Sequence, residues 1–292
     1  VDTGGWFYRG CPTSQFARPD VLGAIYRVRR DGMTTHIDPR GTRLDWPAQT
    51  PAQLVQLLDD PRYAVRQRAI FESAVRGQTM ITTLRKTIER SDILAQQGAI
   101  WALTNIVGKA ILAEQQSNPT NQNTSTLQLA AQEAIRIALV DRNPLVQQIA
   151  VRSFSTYPDP LAKPQLIHLL KSAHPEIRRE AATALGRLGD PTAIEHLLAA
   201  LANPTDIDRT EDHAIIFALI EIDNVPVTRH GLVSDDPDSQ RGALLALDQM
   251  TQETGGNLTA QDVLGLVVSK NSRTQLAAAH VFSQHVDWAS HS

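Results

Sequence analysis

The chain has 292 residues, 42% hydrophobic, with 28 basic and 31 acidic side chains and a net charge of −3, enough to bury a large core as one elongated domain or two compact ones. No run of Lys and Arg exceeds two, so the basic footprint of a general nucleic-acid binder is missing, and a single cysteine, Cys11, excludes an internal disulfide, a multi-thiolate metal site and a haem-attachment pair. No apolar stretch reaches about 18 residues, no signal peptide is present, and the initial Val is read as the mark of a processed or excised piece.

Residues 1–46 differ from everything that follows. Ala24, Tyr26 and Val28 alternate with Ile25, Arg27 and Arg29, and Asp31-Gly32 signals a turn, so a short β segment is predicted there. Two or three strands do not stay folded alone in water. The segment is therefore expected to dock on the first helical hairpin, with Arg27, Arg29 and Arg30 as an interdomain contact or wet face.

Between about Ala52 and His285 one pattern recurs: an amphipathic stretch, a break such as Asp-Pro or His-Pro, then an Ala-rich stretch. The clearest copy runs from His174 to Leu201. Ile177, Ala181, Ala184, Leu185 and Leu188 fall at helical spacing, as do Ile194, Leu197, Leu198 and Leu201, giving two helices per unit. Pro175 and Pro191 suit a first helical turn and Gly189 a helix end. With Ala181 as anchor, its equivalents are Ala69, Ala99, Ala150, Ala214, Ala243 and Ala278, spaced by 30, 51, 31, 33, 29 and 35 residues with Ala181 in its place. The single long interval locates an insertion at 113–125, whose polar, Pro-containing text predicts a surface loop or disordered excursion.

The predicted fold class is all-α: a right-handed α-solenoid of six to seven helical hairpins over residues 47–292, preceded by the β segment of residues 1–46. Each hairpin buries its apolar stripe only against its neighbours. The second helix of each is expected to line the concave side, and register nominates Gln67, Gln97, Gln148, Arg179 and Gln240 for that face. Arg66 and Arg178 occupy equivalent positions at the start of second helices, where a planar five-donor group suits a structural bond to a neighbouring turn.

Charge is uneven. Residues 203–292 carry 5 basic against 13 acidic side chains. Asp206, Asp208, Glu211, Asp212, Asp235, Asp236 and Asp238 form an acidic end that reads as helix-capping and solubilising surface, or as a docking end that steers a basic partner. The cluster at 206–212 lacks the central Gly and terminal Glu of a calcium loop. No two of the nine histidines lie three or four residues apart, so no helical zinc site is indicated, and His174 reads as a turn or cap residue. Cys11 has no neighbouring base, and Gly4-Gly5 lacks the Lys and helix of a phosphate loop. No catalytic residue, cofactor or metal is assigned.

The Pro-x-x-Arg-x-x-Ala-x-x-Ala-Leu run of Pro175 to Leu185 resembles HEAT-like repeats, and the resemblance covers about residues 50–288. Thr3-Gly4-Gly5-Trp6-Phe7, Cys11-Pro12-Thr13-Ser14-Gln15 and Arg18 to Arg27 resemble the last propeller strands of planctomycete-type membrane-bound dehydrogenase-like proteins. Those run propeller, HEAT repeats, then haem-binding cytochrome c domain. The resemblance implies a noncatalytic scaffold or protein-interaction module that spaces such domains in a larger, periplasmic or extracytoplasmic protein, with adjacent domains or other proteins as partners and neither nucleic acid nor membrane insertion. The chain itself contains no Cys-x-x-Cys-His. A bilin lyase-like HEAT-repeat enzyme with a concave pigment pocket and a free-standing peptide-binding adaptor are the alternatives.

Overall fold

A computed structural model describes residues 24, 26, 32, 36–89, 92–116, 122–202, 208–250, 258–285 and 288, with side chains from 126 onward in the helix that begins at 122. Cα packing divides the chain into Val1–Pro39 and Arg40–Ser292. In the first unit Ala24 sits in a β-bridge and Gly32 in a turn at φ +78°. The rest of the predicted β segment, with Cys11, Arg27, Arg29 and Arg30, lies outside the described residues.

The second unit is an α-solenoid of seven hairpins among its described residues. They pair α1 (Pro51–Gln56) with α2 (Tyr63–Arg76), α3 (Gln78–Ile88) with α4 (Ile93–Gln116), and α5 (Gln122–Arg136) with α6 (Pro144–Thr156). Next come α7 (Lys163–Leu169) with α8 (Pro175–Leu188), α9 (Ile194–Leu201) with α10 (Arg209–Ile222), α11 (Val225–Arg229) with α12 (Pro237–Gln249), and α13 (Ala260–Val267) with α14 (Ser272–Gln284). The second helices pack in series from α2 to α14. Local chemistry sets their ends. Thr50 and Gln53 form a capping box on α1, Asn143 and Asp236 cap α6 and α12, Pro144, Pro175 and Pro237 occupy first turns, and Gly189 closes α8 at φ +70°.

The anchor residues Ala69, Ala99, Ala150, Ala181, Ala243 and Ala278 are all fully buried on second helices. In α10 the position belongs to Ile215, not Ala214, which is half-buried: Ile215, Ile216, Ala218, Leu219 and Ile222 repeat the burial of the α8 stripe. One apolar cluster runs without a break from Trp46 to Met250, and a second, around Leu244, Val263, Leu266, Ala278 and Val281, continues it under the last hairpin. Residues 41–46 belong with the solenoid, since Trp46 is buried, its indole N–H donates to the Gly41 carbonyl, and Arg76 donates to the Trp46 carbonyl.

The insertion differs from expectation. Helix α4 continues through Ala113 to Gln116 and α5 begins at Gln122, the two packing along each other, so most of 113–125 belongs to the end of α4 and the start of α5 rather than to a loop. Its Ala, Glu and Gln residues are strong helix formers even where the apolar period is lost. Residues 117–121 lie outside the described set.

Candidate interaction face

Aligning the seven second helices on their buried anchors places the sequence-predicted residues in two registers. Gln67, Gln97, Gln148 and Arg179 stand two residues before the anchor, together with His213, Arg241 and Leu276. Gln67 and His213 are exposed, Gln97, Gln148 and Arg179 half-buried, and Leu276 exposed. Two residues after the anchor come Phe71, Trp101, Arg152, Thr183, Phe217, Leu245 and His280. Helical geometry puts these positions one turn apart on one side of each helix. The result is a face of amides, cations and aromatic rings, interrupted at α12 where Arg241 is buried, on which Phe71 is 55% and Phe217 43% exposed. The His213 and Phe217 rings stack at 6.1 Å, and Lys109 from α4 lies over the Phe71 ring at 5.4 Å.

Gln240 belongs elsewhere. It stands three residues before its anchor, in the register of Arg66 and Arg178, and its side chain turns back to the chain. There Arg66 Nη1 donates to the Asp60 carbonyl at 2.7 Å, Gln96 Nε2 to Ile88 at 2.7 Å, Gln147 Nε2 to Leu139 at 2.8 Å, Arg178 Nη1 to Ser172 at 2.9 Å and Gln240 Nε2 to Ser234 at 2.7 Å. Five hairpins thus use one long donor to satisfy a carbonyl in the turn between their own helices, a group that would otherwise be left at a helix end. Sequence reading found the arginines alone. The glutamines carry the same signal, a fixed offset from the anchor.

Arg178 reaches further. Its Nε and Nη2 grip both carboxylate oxygens of Glu211 at 2.6 and 2.7 Å, tying α8 to α10 across a pair in which Glu211 is 2% exposed. Arg241 of α12 holds Asp212 of α10, and with Arg273 of α14 it also holds Asp238, at 3.2 Å in each case. Burial lowers the basicity of Arg241, but its hydrogen bonds to these carboxylates and their charge outweigh that and raise its pKa above the ordinary value.

The acidic docking end is corrected accordingly. Glu211 and Asp238 are buried and Asp212 is half-buried, all three spent on arginines of adjacent hairpins. Asp208 and Asp236 cap α10 and α12 through their side chains, which leaves Asp235 exposed at a turn; Asp206 lies outside the described residues. The backbone N–H of Glu211 holds the Asp208 carboxyl below its usual pKa. His174 occupies the α8 cap position without a side-chain capping bond.

A groove of about 540 Å³ lies on another side, between the turn at 139–140 and α7. Leu139, Val140, Pro164 and Leu169 supply its apolar wall, and Gln147, Gln165, His168, Lys171 and Ser172 its polar one. His168 and Lys171 are exposed, and the Gln147 amide is committed to the Leu139 carbonyl. No described helix is long and apolar enough to cross a membrane.

No curated protein sequence matches this one. The solenoid is similar to a chain from a complex in which Kap95p binding induces the switch loops of RanGDP to adopt the GTP-bound conformation, with TM-score 0.51, 11% identity, and coverage of 85% of this chain and 36% of that one. It is also similar to the CpcE and CpcF complex of phycocyanin lyase from Nostoc sp. PCC7120, at TM-score 0.43, 15% identity and coverages of 90% and 93%. A designed armadillo repeat protein in complex with peptide (KR)4 aligns at TM-score 0.41, 17% identity and coverages of 80% and 99%. At this identity the first likeness shows the fold alone. Residues 131–215, from α5 into α10, match the family model described as HEAT repeats, and the hairpins on either side keep the register of that HEAT-repeat segment.

Proposed function

We propose that the chain is a noncatalytic protein-interaction scaffold that binds extended segments of other proteins along its second-helix face. The observation that carries this reading is the double row running from Gln67 and Phe71 to Leu276 and His280, which exposes the Phe71 and Phe217 rings and the Gln67 amide and half-exposes Gln97, Trp101 and Gln148. Exposed aromatic rings supply contact area at low entropic cost, and side-chain amides can both donate to and accept from a peptide backbone. Display of random twelve-residue peptides against the chain tests it. Enriched peptides should be lost on Phe71→Ala/Phe217→Ala and retained on Gln165→Ala; the opposite pattern would assign binding to the groove and overturn the reading.

The finer role is a spacer between a dehydrogenase-like propeller and a cytochrome c domain of one extracytoplasmic polypeptide, so that the segments bound include neighbouring domains. Its support is the resemblance of residues 1–27 to propeller strands. The continuous reading frame decides it: a propeller before residue 1 and a Cys-x-x-Cys-His domain after residue 292 are expected, and a frame with neither rejects the spacer role while leaving the scaffold standing.

A further inference from the structure

The charges left over after intrachain pairing specify the partner. Along the second helices several carboxylates are paired locally: Glu72 takes Arg68 at 2.8 Å, Glu180 takes Arg152 at 2.8 Å and Glu221 takes Arg187 at 3.1 Å. Asp248, further along, pairs with His285 at 2.8 Å. Two cations on the same face make no ion pair with any described residue: Lys109, held over the Phe71 ring, and Arg179, which feels the Asp208 carboxylate only at longer range. Among the described residues, most carboxylates of the last hairpins are therefore paired inside the protein, cap a helix or stand at a turn, and Lys109 and Arg179 are the cations this face leaves without an ion pair.

We propose that this face selects an acidic extended segment with apolar or aromatic anchors, Lys109 and Arg179 meeting its carboxylates while Phe71, Trp101 and Phe217 take its apolar side chains. This deepens the scaffold reading and rests on it. The separation of the two cations sets a spacing. Helices α4 and α8 are separated by α6, so they stand roughly 18 Å apart at about 9 Å per neighbour. Lys109 lies ten residues after its anchor and Arg179 two before, so about 18 Å also separates them along the helix direction at about 1.5 Å per residue. The diagonal of about 25 Å is spanned by about seven or eight extended residues. A bound segment should thus carry two acidic positions about that far apart, with apolar residues between them and beside them.

The test uses the whole chain, immobilised, and a random twelve-residue display library as probe. The expected pool has more Asp and Glu than Lys and Arg, carries acidic positions about seven or eight residues apart, and includes aromatic or branched apolar residues. Its representative peptide should lose tenfold or more in affinity on Lys109→Glu/Arg179→Glu and less on Lys109→Gln/Arg179→Gln, with both variants melting like the parent, while Lys171→Glu at the groove has no effect. Binding should also weaken steeply with added salt. A neutral or basic pool, no enrichment, or a pool indifferent to the charge reversal overturns the proposal. If such a pool is nevertheless lost on Phe71→Ala/Phe217→Ala, the scaffold face survives and only its acidic selectivity fails; indifference to both sets of variants sinks both.

Discussion

At the scale of single residues, stability turns on which buried polar groups are satisfied. Ser73 Oγ and Thr228 Oγ1 are buried without a hydrogen-bond partner, and Ser73 fills a position that is Leu or Phe in every other second helix. Removing an unpaired buried hydroxyl removes its desolvation cost, so Ser73→Ala should raise stability by about 1 kcal/mol in a denaturant titration. Arg178 behaves oppositely. Arg178→Ala strands the Glu211 carboxylate in a buried site and should cost about 3–5 kcal/mol, whereas Arg178→Met/Glu211→Leu should recover most of that loss. An unchanged melting midpoint in Arg178→Ala would refute the structural role of the pair. Asp190 gives the pH dependence: hydrogen bonds from Lys163 at 2.5 Å and from Thr192 lower its pKa from 3.8 to about 2. A carboxyl whose pKa is depressed in the folded state stabilises it fully above the ordinary value and progressively less as protons are added. The melting temperature should therefore fall between about pH 4 and pH 2 with a component that Asp190→Asn abolishes.

Two glycines inside helices separate packing from propensity at the scale of elements. A Cβ on Gly186 of α8 would stand 2.8 Å from the Ala218 Cα of α10, so Gly186→Ala must push two backbones apart and should destabilise by about 1–3 kcal/mol despite the gain in helix propensity. Gly265 of α13 has open space where its Cβ would be, and Gly265→Ala should stabilise by about 0.5–1 kcal/mol. Chemical unfolding of the two variants should give opposite signs. Such elements were largely legible from sequence, because Pro175, Gly189 and the Ala181 stripe carry capping and period together. Where one of these failed, so did the reading. Residues 214–220 are apolar throughout, so periodicity did not choose between Ala214 and Ile215. In the insertion the apolar period is lost while Ala113, Glu114 and Gln115 keep their helical propensity, and tertiary packing of α4 on α5 decided the outcome. The candidate face was readable as register, except that a one-residue slip put Gln240 outside it.

For the whole molecule, electrostatics was the part least visible in the chain order. Arg178 and Glu211 lie 33 residues apart and Arg241 and Asp212 lie 29 apart, each about one repeat, so a regional charge total counts as free what stacking brings together. Nearest-neighbour stacking also means that each hairpin leans on the next for its core, with the second helices as the common spine. That spine is what presents a single face, and the location of binding tests the account most directly. A photocrosslinking side chain placed at residue 97 or 148 on the face, and separately at residue 165 in the groove, should be exposed to a peptide selected on the chain. Crosslinks from 97 and 148 but not from 165 are predicted; crosslinks from 165 alone would contradict the account.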